Sequence, residues 1–252
     1  MNLILDSHPD FHCVDEDQFI IWLINAYVNM HFGKPCVSFK LPRLASMLPV
    51  IKSLPDRRIL WCVRDPLDVV HSMVKLQLAY QDGKVSWAAH PGGGQMDILN
   101  GYWALDASNQ ERLKPHMARF SMISKKDPPD RNREECIFSS ALCWTIKNEI
   151  TARYDQEQIS YHIVRYEELV TEPREQIAAI LEYIGVPWND DVLRHHELHE
   201  GRSIGNTSNT RKIDSSSVAQ GAGQFSGEEI DLIKSVCDET AHKWHYTIPQ
   251  PE

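Results

Sequence analysis

Three polar side chains close apolar runs in this sequence: Lys40 after CVSF, Arg64 after ILWCV, and Tyr166 at the end of YHIVRY. Arg64 is followed directly by Asp65 and Pro66 and, eight positions along, by Ser72. An arginine beside a helix amino terminus, with a hydroxyl two turns into that helix, is a set of groups suited to an oxyanion. The guanidinium offers charge-assisted, often bidentate hydrogen bonds, and the helix end adds its partial positive charge. At a partly exposed site each unit charge pair in contact contributes roughly 4 kcal/mol before desolvation, at an effective dielectric of about 20.

The elements that must position these groups follow from the pattern around them. Residues 59–63 form a short β-branched apolar run, which reads as a strand buried on both faces, the habit of parallel sheets. Asp65 is placed to cap a helix whose first residue is Pro66. On that helix Asp65, Asp68, Ser72 and Lys75 make a polar stripe, and Val69, Met73 and Leu76 an apolar one. Upstream, Leu3, Ile4 and Leu5 precede the stop signals Asp-Ser-His-Pro and read as the tail of a helix that begins elsewhere. Phe19, Leu23, Ala26, Tyr27 and Met30 predict a helix over 17–30, and residues 36–41 a strand with Lys40 near its end. A Pro-punctuated helix is expected over 43–54. Residues 81–132, rich in Gly, Pro, Asn and charge, read as long surface loops with room for one helix, the kind of segment that builds lids and acceptor pockets. Helices follow over 134–154, between Pro173 and Gly185, and over 227–244, with a strand at 161–166 before the second of them. Strand and helix alternate, so the class is α/β with a parallel sheet flanked by helices. In such a sheet the carboxyl ends share one edge, so Lys40, Arg64 and Tyr166 are expected to converge where open α/β sheets bind ligands.

Composition narrows the partners. The 252 residues suit one domain, and 42% hydrophobic with 24% charged residues is ordinary for a globular chain. A formal charge of −9 argues against a nucleic-acid or anionic-membrane surface, so an anion must be held by a few local cations. The six cysteines are scattered without a CxxC pair and read as small buried hydrophobes in a reducing, cytoplasmic setting. The apolar run FIIWLINAYVNM is too short for a membrane span. HHELH at 195–199 lacks the order of HExxH and reads as a solvated helix, not a zinc site; HPGGGQ reads as a flexible loop, and Trp144 as core.

Taken together, RDPLDVVHS (64–72), VRYEELVTEPREQIAAILEYIGVP (164–187), LDSHPDFHCVDE near the start, FKLP (39–42) and GNTSNTRK (205–212) resemble the sulfotransferases that use 3′-phosphoadenylyl sulfate. The resemblance covers most of the chain and implies a P-loop-NTPase-like fold and transfer of a sulfuryl group to a hydroxyl or amine. By that resemblance Arg64 and Ser72 hold the donor's 3′-phosphate, joined by Arg211 and Lys212, while Tyr166 meets the adenine and Lys40 lies near the sulfuryl group. Two or three such contacts would hold a nucleotide at micromolar levels. Glu16 occupies the place of the base in bacterial-type members, with His12 the alternative. The donor is 3′-phosphoadenylyl sulfate, the product 3′,5′-bisphosphoadenosine (PAP), and no metal is required. The acceptor is a small molecule, a glycan or a protein; oligomeric state is left open. The family's first strand and its Gly/Ser/Thr-rich phosphate loop have no counterpart here, since Met1 falls within the helix that follows that loop. The chain is then expected to be an N-terminally truncated single sulfotransferase-like domain that binds donor weakly. The other expectation is a non-catalytic remnant acting as a nucleotide-binding or interaction module.

Overall fold

A computed structural model describes residues 1–15, 36–42, 44–54, 56–81, 94–199 and 211–250. In chain order the elements are α1 (Asn2–Asp6), β1 (Phe11–Asp15), β2 (Cys36–Lys40), a 3₁₀ turn (Leu44–Ser46), α2 (Leu48–Ser53), β3 (Leu60–Val63), α3 (Pro66–Gln81), α4 (Met96–Ala104) and α5 (Ala107–Ile123). They continue with α6 (Arg133–Glu149), α7 (Thr151–Gln156), β4 (His162–Arg165), α8 (Tyr166–Thr171), α9 (Pro173–Ile184), α10 (His195–Leu198) and α11 (Gly227–Lys243). The helix expected over 17–30 lies outside the described residues.

The chain divides into two compact units. The first comprises Met1–Ala45, Asp56–Cys62 and Tyr161–Ser215. Here β1 and β2 run parallel, with Phe11 opposite Cys36 and Asp15 opposite Lys40, while β3 pairs with β4. One apolar cluster joins both pairs. Ile4 and Leu5 of α1, Phe11 of β1, Val164 of β4 and Ile177, Ile180 and Leu181 of α9 are all buried in it. α1 is a short helix that buries Leu3, Ile4 and Leu5. α9 begins at Pro173 and stops where Gly185 takes φ 85°, a left-handed conformation glycine adopts without steric cost. The strand at 60–63 is not buried on both faces, however. Cys62 of β3 and Ile163 of β4 are exposed, while Leu60 packs against the cluster and Val63 and Val164 are buried.

The second unit comprises Ser46–Pro55, Val63–Ser160 and Ser216–Glu252 and is helical around α6. Thirteen residues of α6, from Cys136 to Glu149, are buried, which makes it a central helix and not an amphipathic one. Its polar members are satisfied: Gln77 donates to Ser140 Oγ (2.8 Å), and Glu149 accepts from Arg112 (2.7 Å), Thr240 (2.6 Å) and Lys243 (3.0 Å). Asn132 with Glu135, and Ser226 with Glu229, form reciprocal capping boxes that start α6 and α11. Where the composition of 81–132 left room for one helix among loops, the described residues hold two, α4 and α5. Asp106 caps α5 by accepting from Ser108 and Asn109, and the helix carries Pro115 inside it while burying Leu113 and Phe120. Charge on its outer face and an internal proline hid an ordinary amphipathic helix from a compositional reading.

Candidate functional site

Arg64 follows β3 directly and leads into α3. Asp65 caps that helix as its sequence predicts, accepting from Leu67 N at 2.8 Å and Asp68 N at 3.3 Å. The Arg64 backbone is fixed by Trp144, whose indole Nε1 donates to the Arg64 carbonyl at 3.0 Å. Its guanidinium is fixed by Asp68, from Nη2 to Oδ2 at 3.1 Å, and by a hydrogen bond to the Ser217 carbonyl. Ser72 is exposed on the same helix. The polar stripe expected for α3 therefore needs one correction: Asp68 is buried at 2% exposure, because its carboxylate is filled by donors. The buried apolar face is accordingly Leu67, Val70, Met73 and Val74, with Val69 and Leu76 at its margins.

Cations lie around His71 on α3. His71 has its pKa lowered first by burial and then by Lys75, Arg133 and Arg64, with Asp68 acting the other way. Its ring meets Phe225 edge to face at 6.2 Å. Arg133 also holds the segment before α11, donating to Gln224 O (3.1 Å) and to Glu229 (2.7 Å). Sequence reasoning missed Arg133, Asp68, Trp144 and Gly221 as parts of this neighbourhood. A carboxylate four residues after the arginine was the available signal.

In the first unit, Lys40 ends β2, exposed and in register with Asp15. Tyr166 opens α8, half-buried, and lies close enough to Arg211 to raise its pKa, behind the larger effect of hydrogen bonding to Asp214. Arg211 is exposed and pairs with Asp214 through Nε (2.9 Å) and Nη2 (2.5 Å); Lys212 is exposed beside it. The structure thus gathers Tyr166 and Arg211 in one unit, and Arg64 and Ser72 in the other. His12 is half-buried in β1, and Glu16 lies outside the described residues.

HHELH is not a solvated helix. His195 and His199 are 6% exposed. His199 Nε2 lies 3.0 Å from both Ser7 Oγ and Leu3 O, pinning α1. His195 hydrogen-bonds the Arg211 backbone, and its pKa is lowered to about 4, first by burial and then by His196 and the amino terminus. The Ser7, His199 and Asp6 trio resembles a hydrolytic triad in residue type only. Ser7 Oγ donates to Leu3 O at 2.8 Å and all three side chains are buried, so there is no room for a substrate. Among the described residues no three His, Cys, Asp or Glu side chains form a metal-holding group, and no helix is long and apolar enough to cross a membrane.

Comparisons with known proteins show the family to which the chain belongs. The family model described as "Sulfotransferase domain" matches residues 37–245, a span that includes Lys40, Arg64, Ser72, Tyr166, Arg211 and Lys212. A protein-tyrosine sulfotransferase of Drosophila melanogaster is 33% identical over 234 residues, covering 79% of this chain and 38% of its own length. The chain therefore spans well under half of that relative. A solved sulfotransferase domain from the curacin biosynthetic pathway superposes with a TM-score of 0.54 over 92% of this chain and 69% of its own, and at 14% identity it speaks to the fold alone. With more than half of its length matched by the family model, this chain belongs to the sulfotransferase domain family.

Proposed function

We propose that this chain moves a sulfuryl group from 3′-phosphoadenylyl sulfate to a hydroxyl or amine acceptor, working as one sulfotransferase-like domain. The observation that carries the reading is the arrangement around Arg64. A partly exposed guanidinium stands between a strand end and a capped helix amino terminus, with exposed Ser72 on that helix. That arrangement suits a phosphate monoester, which gains charge-assisted bonds and the helix dipole together. Arg211 and Lys212 are assigned to the same 3′-phosphate, and Tyr166 to the adenine. The family match spanning both units supports treating them as one domain.

Sulfuryl transfer resembles phosphoryl transfer in its loose, in-line transition state, so the work falls to positioning and charge neutralisation. Lys40 is assigned to neutralise charge gathering on the oxygen that leaves with the nucleotide. The acceptor's proton goes to a carboxylate or imidazole base, Glu16 or His12. Given the name of the fly relative, the tyrosyl hydroxyl of a protein is the first acceptor to test. The test has two parts: thermal shift of the chain with PAP and with 5′-AMP, and transfer from labelled donor to a tyrosine-containing peptide. PAP should raise the melting temperature more than 5′-AMP does. Equal shifts from the two nucleotides would remove the 3′-phosphate assignment.

A further inference from the structure

Asp68 is nearly inaccessible, yet it gathers three donors. Oδ1 accepts from Gly221 N at 2.6 Å, and Oδ2 accepts from Ala219 N at 3.0 Å and from the Arg64 guanidinium at 3.1 Å. The Arg64 guanidinium also donates to Ser217 O, so the arginine and the carboxylate hold the same short strap, residues 217–221, from two sides. Two further features show that the strap is built to sit there. A Cβ on Gly221 would fall 2.7 Å from Asp68 N and closer still to the Leu67 carbonyl, so only glycine lets the strap approach the first turn of α3. Ala219, which supplies one of the N–H groups, has φ 57°, a conformation costly for an L-residue that persists where its surroundings over-determine it. Beyond the strap, Arg133 anchors the chain again at Gln224 and Glu229.

We propose that Asp68 is a positioning residue for the 3′-phosphate: it aims the Arg64 guanidinium and fastens the 217–221 strap over the amino terminus of α3. The inference rests on the assignment of Arg64 to that phosphate. A guanidinium held by a buried carboxylate on one side presents the rest of its planar fork in a fixed direction, and the ordering of a long side chain is completed before the ligand arrives. Asparagine at position 68 keeps the size but loses the charge, and its amide nitrogen would face donors.

The test compares PAP and 5′-AMP affinities by calorimetry for the intact chain and for Asp68→Asn, Arg64→Ala and the double variant. Asp68→Asn should weaken PAP by about tenfold, the scale of one charge-assisted hydrogen bond, and leave 5′-AMP within about twofold. In the Arg64→Ala background it should change PAP binding no further. A uniform loss for both nucleotides, or an unchanged PAP preference, overturns the proposal, since a merely structural carboxylate would act on both alike. Should Asp68→Asn not fold, Gly221→Ala asks the same question by displacing the strap with both charges in place; an unchanged preference there overturns it equally. If Arg64→Ala itself leaves the preference intact, the phosphate assignment falls and this inference with it. If Arg64→Ala abolishes the preference and Asp68→Asn does not, only the role of Asp68 falls.

Discussion

Arg64 and Arg211, the two arginines proposed for the nucleotide, are each paired with a nearby aspartate, and the pairs could hardly differ more. Arg64–Asp68 joins a guanidinium with 22% of its side chain exposed to a carboxylate with 1%, and the carboxylate also holds two backbone N–H groups. Arg211–Asp214 is a local pair in which 45% and 40% of the side chains are exposed. An exposed pair contributes little to stability and is readily exchanged for another partner, whereas a half-buried one fixes its arginine in place. On the proposed assignment Arg64 is therefore the rigid contact, and Arg211 an adaptable one whose aspartate a phosphate can replace.

The largest consequence is in stability. Asp68→Ala strips the strap and Arg64 of their shared acceptor and should cost about 3 kcal/mol in urea unfolding, while Asp214→Ala should stay within about 0.5 kcal/mol. Equal costs would erase the distinction between the pairs. A comparable effect separates the two anchors by pH. Arg211 is tied through its backbone to His195, whose folded pKa, about 4, lies below its ordinary value of 6.5. A depressed folded value means that burying neutral His195 favours folding fully above pH 6.5, and that this contribution is lost as pH falls toward 4. His195→Asn should thus cost more at pH 7 than at pH 4, by up to about 3 kcal/mol, measured as the difference from wild type in unfolding at each pH. A cost independent of pH would place His195 outside that account.

Binding comes next. Arg211→Ala should weaken PAP only about threefold, and the loss should shrink as salt rises from low to physiological strength, as expected for an exposed charge. Smallest of all, Asp214→Asn should tighten PAP by less than about twofold, since it removes the carboxylate that competes with the phosphate. A loss of affinity there would mean that Asp214 orients Arg211 as Asp68 orients Arg64.

The same contrast shows what the sequence made legible. Local rules were enough for the Asp65 cap, Pro66 at the start of α3, Gly185 at the end of α9 and the apolar α1, because each depends on neighbours within a few residues. The resemblance in RDPLDVVHS and VRYEELVTEP picked out the family, whose model matches residues 37–245. Long-range partners were hidden. Asp68 read as a solvated stripe residue because the donors that bury it lie more than 150 positions away, at Ala219 and Gly221. His195 and His199 read as exposed because Ser7, Leu3 and the Arg211 backbone are remote in the chain. Residues 81–132 read as loop because polar composition marks the outer face of α5 and says nothing about the Leu113 and Phe120 side beneath it.

The central claim is that the guanidinium at position 64 recognises a 3′-phosphate. Its most direct test is the ratio of PAP to 5′-AMP dissociation constants in Arg64→Ala and Arg64→Lys, with melting curves to confirm folding. The account predicts that alanine collapses the PAP preference by about 10- to 100-fold and that lysine, which keeps the charge but not the planar fork, restores only part of it. A PAP preference unchanged in Arg64→Ala would contradict it.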